Sequence, residues 1–168
     1  MNDKTRFINP PNMLKQKVGS RPGATAGQID PEALLRAQAV IDSKAQDYPD
    51  WASKEIDKLY AAYQECVGKG GSTVNLDKIA GLVHDIRGEG TTYGYPLVTK
   101  IGTSLYDFTQ AIGGADTAQL EVVKAHIDAL KIIIIQRMNG DGGQAGAELL
   151  NMLRLAVNKF VAAEHEKK

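Results

Sequence analysis

One cysteine among 168 residues, Cys66, leaves no partner for an internal disulfide and excludes a cysteine-built zinc site. Its place in an apolar helical pattern makes it core filler, and the lack of disulfides fits a reducing compartment. No apolar run approaches the roughly 20 residues needed to cross a bilayer, and the amino-terminal stretch lacks the apolar block of a secretory signal. The expectation is a cytoplasmic protein that makes no membrane contact. Charge of one sign is lacking as well: 20 basic and 20 acidic side chains cancel, so no overall field recruits nucleic acid or an anionic surface. Nothing alternates with period two for long enough to argue a sheet.

What is present is ordinary globular composition, 43% apolar and 24% charged, in a length that suits one domain with a tail. Residues 1–29 carry Pro10, Pro11 and Pro22 with no sustained period, so they read as a disordered arm, made basic by Lys4, Arg6, Lys15, Lys17 and Arg21. Met13, Leu14 and Val18 offer a short docking motif within it; the plainer reading is a solvated tail. The domain is expected over 30–168.

Helix signals then follow one another. Asp30-Pro31-Glu32 combines an N-cap, a first-turn proline and a first-turn acid, and opens a short helix through Leu34, Ala37 and Ile41. A second helix is predicted from Pro49 and Asp50 to Gly68, with Ala52, Ile56, Leu59, Tyr60, Tyr63 and Val67 on its inner face. A third starts at Asn75 as N-cap and stops at Gly94. Tyr95-Pro96 restarts a fourth along Leu97, Ile101, Leu105, Phe108 and Ile112. Asp116 with Gln119 resembles a capping box opening a fifth through Leu120, Val123, Ile127, Leu130 and Ile134, widened by Ile132, Ile133 and Ile135. A last helix carries Leu149, Leu153, Ala156 and Phe160. The fold class is all-α, an antiparallel bundle with a four-helix core and additional flanking helices.

The stretch from Val83 to Leu97 is unlike the rest. The core stripe of its helix is Leu76, Ile79, Ala80, Val83 and Ile86, with Tyr93 beyond, and His84 falls beside that stripe toward the outside. One turn away on the same face lie Ala80 and Gly81 before the ring, Arg87 and Gly88 after it. Gly81, Gly88 and Gly90 together give up roughly 2–3 kcal/mol of helix propensity, which access to an imidazole by another macromolecule would justify. The tight turn at Gly94 makes the next helix an antiparallel neighbour, whose level opposite His84 holds Thr103, Ser104, Tyr106 and Asp107. Any of these polar groups could bond Nδ1 and fix the tautomer. An exposed imidazole, a guanidinium one turn on and cleared flanks suit a phosphoryl acceptor, because phosphoryl transfer asks mostly for positioning and charge stabilisation.

His84-Asp85-Ile86-Arg87-Gly88, then Gly90, then Thr92-Tyr93-Gly94-Tyr95, resembles the signature of histidine-containing phosphotransfer (HPt) domains: a phosphoacceptor His, a basic residue three on, Gly four on, and an aromatic-Gly-aromatic turn. The likeness is clear over residues 75–110 and looser to 138. It implies that His84 accepts the phosphoryl group, Arg87 steadies it, and Ala80, Gly81 and Gly88 form the docking face. It further implies partners: a histidine kinase and a response-regulator receiver domain, the latter bringing the Asp and the Mg²⁺. No cofactor of its own is implied. Where many members carry Glu or Gln, 22 residues after the His, this chain has Tyr106 with Asp107 adjacent, so Thr103, Tyr106 and Asp107 stay open as His-orienting groups. With no nucleotide-binding kinase module in the sequence, the expected role is a monomeric phosphocarrier, not an autonomous enzyme.

Other features read as ordinary. His126 lies next to core Ile127 and His165 in the charged end. A metal site from His84, Asp85 and His126 has no ligand spacing behind it. The glycine-rich run from Gly88 to Gly94 has no preceding strand and no following Gly-Lys-Ser/Thr, so it is not a phosphate-cradling loop. The competing class is a non-catalytic helical interaction or dimerisation module of HPt-like shape.

Overall fold

The computed structural model describes residues 30–165, with side chains to Phe160; the basic arm and its docking motif lie outside the described residues, as does the His165 side chain. Five helices pack antiparallel as a bundle: α1 Pro31–Gly68, α2 Thr73–Gly90, α3 Pro96–Ala111, α4 Thr117–Ile135 and α5 Gly143–His165. No strand occurs among the described residues. The described residues divide into two units, with the boundary between Gln38 and Ala39. In the described part of the first, Arg36 pairs with Asp30 at 3.6 Å and Glu32 at 3.5 Å, while Leu34 and Leu35 are exposed.

The core of the second unit follows the predicted stripes except on α1, where Ala52, Ile56, Leu59 and Tyr63 are buried but Tyr60 and Val67, expected on the inner face, are exposed. Leu76, Ile79, Ala80, Val83 and Ile86 of α2 are buried, as are Leu97, Ile101, Leu105, Phe108 and Ile112 on α3 and just beyond it, and Leu120, Val123, Ile127, Leu130 and Ile134 of α4. Cys66 is buried among them, and burial pushes its thiol up, away from the reactive thiolate. The Asp116 cap is complete: its carboxylate accepts from the Gln119 amide N–H at 2.8 Å, and the Gln119 side chain accepts from the Asp116 N–H at 2.9 Å. Leu153 anchors α5, with Leu149, Ala156 and Phe160 half-buried beside the core.

Three further expectations are corrected. The first two predicted helices are one, because α1 runs through Pro49. A helix-interior proline costs about 3 kcal/mol, and the offset lies next to it: Tyr48 is 2% exposed, with its ring 5.1 Å from Tyr93, 5.2 Å from Tyr95 and 5.7 Å from Trp51. Burying a tyrosine there is worth about 4–6 kcal/mol as an upper figure, from which its buried, unpartnered hydroxyl takes back about 1–3 kcal/mol; the three ring–ring contacts, each worth about 0.5–1.5 kcal/mol, add the rest of the offset. Asn75 is not the N-cap of α2. Ser72 holds that position, the Thr73 hydroxyl donates to the Gly113 carbonyl at 2.6 Å, and Asn75 is carried inside the first turn and buried. On α4, Ile133 joins the core, but Ile132 and Ile135 are 47% and 66% exposed, so its apolar face does not wrap all round.

Backbone bonds tie the loops at each end of the bundle. Ala115 N–H donates to the Gly71 carbonyl at 2.9 Å at one end, and Gly140 N–H donates to the Gly94 carbonyl at 2.8 Å at the other. Gly94 itself, at φ +86°, adopts the left-handed turn that a side chain would resist, and Tyr95 N–H closes it on the Gly90 carbonyl at 2.7 Å. No helix among the described residues is long and apolar enough to cross a membrane.

Candidate functional site around His84

His84 stands on α2 between Val83 and Ile86, both fully buried, yet the ring itself is exposed. The apolar stripe therefore fixes the helix face, and the ring projects beside the seam with α3. It borders an open depression of about 510 Å³ whose lining includes Ala80, Gly81, Asp85 and Tyr106. Gly81 and Gly88 have open space where a Cβ would stand, so neither is a packing glycine. Ala80 is 4% exposed and forms part of the floor.

Gly90 has the opposite character. A Cβ there would meet the Thr99 hydroxyl at 2.8 Å and the Tyr95 carbonyl at 2.9 Å, so the residue serves close packing and not access. Gly102, which the sequence reading passed over, acts likewise on α3: its missing Cβ would lie 2.8 Å from the Arg87 Cβ. The two helices close up at the level of Arg87. A glycine inside the Ile101–Leu105 core line, opposite the predicted His84 level, was the signal for it.

Thr99 locks the end of α2. Its hydroxyl donates to the Arg87 carbonyl at 3.0 Å, one of the groups this helix end leaves unpaired, and accepts from the N–H of the capping Thr91 at 2.9 Å. Arg87 is thus held at its backbone, while its side chain is half-buried against α3. The guanidinium carbon lies 4.1 Å from the centre of the Tyr106 ring, a cation–π contact. Its Nη2 is 3.1 Å from His84 Nδ1. The Tyr106 ring in turn is 5.9 Å from the His84 ring.

These three side chains are brought together; Thr103 and Asp107 are not. Thr103 is half-buried, Asp107 exposed, and the hydrogen bond to Nδ1 comes from Arg87 instead of from α3. Ser104 faces the other way, onto α4: its hydroxyl is 3.0 Å from Nε2 of the fully buried His126, whose Nδ1 is 2.8 Å from the Val122 carbonyl. Burial pushes His126 below the ordinary histidine value, with the Val122 bond acting the other way.

The electrostatics around His84 are lopsided. Asp77 and Asp85 edge the depression, and the cation lies on the Arg87 side of the ring. An anion carried on the ring would meet the Arg87 guanidinium within hydrogen-bond reach of Nδ1, in a depression also lined by two carboxylates. Among the described residues no three His, Cys, Asp or Glu side chains converge as a metal site.

A second concavity, about 280 Å³, lies between α1 and the loops, with Pro49, Tyr93, Tyr95, Arg137 and Asn139 in its walls. Burial pushes the Tyr95 hydroxyl up, against the pull of Arg137, and leaves it an unactivated phenol. Comparison with known protein families, with curated proteins and with solved structures finds no match for this chain.

Proposed function

We propose that this protein is a histidine phosphotransfer protein, in which His84 takes a phosphoryl group from, or returns it to, the Asp of a response-regulator receiver domain. One observation carries the reading: an exposed imidazole on a rigid helix has a guanidinium within hydrogen-bond reach and, at Gly81 and Gly88, open ground on both flanks. The ring supplies the nucleophile, and Arg87 the charge that meets the developing phosphoryl oxygens. The receiver would supply the Mg²⁺ and the carboxylate.

The test is transfer. The purified protein is incubated with a radiolabelled, phosphorylated receiver domain, and the expected label on the chain is acid-labile and alkali-stable, as in phosphohistidine. Absence of label across a broad panel of charged receivers and kinases sinks the proposal.

The second reading, an interaction module without chemistry, is favoured by one specific observation. A guanidinium only donates, so the Arg87 bond places the imidazole proton on Nε2, and an Nε2–H ring has no lone pair there with which to attack phosphorus. The same transfer experiment separates the two readings.

A further inference from the structure

The resting contact that favours an inert ring also points to a control on it. We propose that Tyr106 is a positioning residue for His84: its ring holds the Arg87 guanidinium against Nδ1, which keeps the proton on Nε2 until an incoming phosphoryl group draws Arg87 away. The chemistry of this inference rests on the phosphotransfer reading, but its structural half, the hold on the tautomer, does not.

Arg87 faces two attractions in this structure, and an arriving anion adds a third. Its Nη2 lies 3.1 Å from Nδ1 and its Cζ 4.1 Å from the centre of the Tyr106 ring. Both contacts use the guanidinium in one position, so Tyr106 lends the Nδ1 bond its geometry. The backbone beneath is fixed by Thr99 on the Arg87 carbonyl and by the close approach at Gly102, so the choice of position belongs to the side chain alone. A phosphoryl dianion offers the guanidinium a charge-assisted bond, stronger than a bond to a neutral ring nitrogen. Arg87 therefore leaves Nδ1 when the donor arrives, and the group that withheld the productive tautomer becomes the one that binds the phosphoryl oxygens.

The step balances with water as the only other reactant. Nε2 gives its proton to water and Nδ1 takes one from water. The freed Nε2 lone pair forms the N–P bond as the P–O bond to the donor's carboxylate breaks. That carboxylate leaves as an anion, and the transferred group sits on a ring protonated at Nδ1.

Three proteins test this: wild type, Tyr106→Phe, which keeps a ring under the guanidinium, and Tyr106→Leu, which does not. Ring ¹⁵N spectra are recorded near pH 8.5, about two units above the ordinary imidazole value, so that neutral tautomers are compared. His126, bonded through Nδ1–H to the Val122 carbonyl, is the internal standard for the other tautomer. Wild type and Tyr106→Phe should show His84 as Nε2–H with Nδ1 accepting a hydrogen bond; Tyr106→Leu should show an added Nδ1–H population. With phosphoramidate as a small donor needing no protein partner, Tyr106→Leu should label His84 roughly two- to fivefold faster, the factor a cation–π contact of this kind represents, and Tyr106→Phe should return to the wild-type rate.

A folded Tyr106→Leu protein with the wild-type spectrum and labelling rate overturns the inference. A tautomer change without phosphoryl uptake in any variant upholds the hold on the ring and overturns the phosphotransfer reading alone. Should Tyr106→Leu unfold, Arg87→Met removes the donor while keeping the stem; an unchanged His84 spectrum in that variant overturns the inference equally.

Discussion

His84 and His126 both meet side chains of α3, one from α2 and the other from α4, and they are held in opposite tautomers. His126 donates from Nδ1 to a carbonyl and accepts at Nε2 from Ser104, wholly buried. His84 accepts at Nδ1 from Arg87 and carries its proton on Nε2, in the open. The ring whose Nε2 has the lone pair cannot be reached, and the ring that can be reached has its Nε2 lone pair withheld. Accessibility and readiness are thus separable properties of a histidine, set respectively by the apolar stripe of the helix and by the hydrogen bond at the other nitrogen.

The contrast breaks most sharply on removing each ring. His84→Gln should abolish phosphoryl acceptance and leave stability within about 0.5 kcal/mol, because the ring is exposed and its contacts are with the side chains of Arg87 and Tyr106. His126→Ala should do the reverse. It removes a fully buried side chain and strands the Ser104 hydroxyl, a loss of roughly 2–4 kcal/mol, while the protein that remains folded still takes label. Urea denaturation and receiver-dependent labelling of both variants check this. Full labelling of His84→Gln would move the acceptor elsewhere.

The glycines make a parallel pair. Gly88→Leu places bulk one turn from His84 in open space, so the melting temperature should hold or rise, since leaving glycine in an exposed helix is worth up to about 1 kcal/mol. Transfer from a receiver should fall while labelling by phosphoramidate does not, because only the large donor needs the cleared flank. Gly102→Ala drives a Cβ onto that of Arg87 and should lower the melting temperature, at a cost of about 1–3 kcal/mol. A Gly88→Leu protein that is stable and transfers at the wild-type rate would refute the docking face.

What was legible in the sequence were features whose cause is local. The stripes of α2, α3 and α4, the Asp116–Gln119 box and the Gly94 turn need only neighbours within a turn or two to explain them. The misreadings share a different cause. Pro49 looks like a break until Tyr48 is seen packed on Tyr93 and Tyr95, residues more than forty positions along the chain. Gly90 reads as access until Thr99 and Tyr95 are found against it. The level of Tyr106 opposite His84 followed from helix rise alone, but the Arg87 bond to Nδ1 did not. A side chain with several donors and two neighbours in reach takes its place from packing, here from Gly102 letting α3 press close and Tyr106 lying beneath the guanidinium.

The smallest effect expected sharpens the comparison through protons. Burial holds His126 below its ordinary value, near 6.5 in the unfolded chain, so the folded state resists a proton that the unfolded state accepts. Above that unfolded value both states leave the ring neutral, and its contribution to stability is fully present. As the pH falls through about 6.5 toward the lower folded value, the unfolded state binds more protons and that contribution is lost, at no more than about 1.4 kcal/mol per pH unit for one group. Carboxylates titrate lower and blur the same curve, so the quantity to measure is a difference. Urea denaturation of wild type and of His126→Gln at several pH values between 7.5 and 5.5 should show the wild type losing the more stability on acidification. Gln cannot titrate, yet its amide can still donate toward Val122 and accept from Ser104. Parallel curves for the two proteins would mean that His126 is as easily protonated folded as unfolded, and the buried half of the comparison would fail.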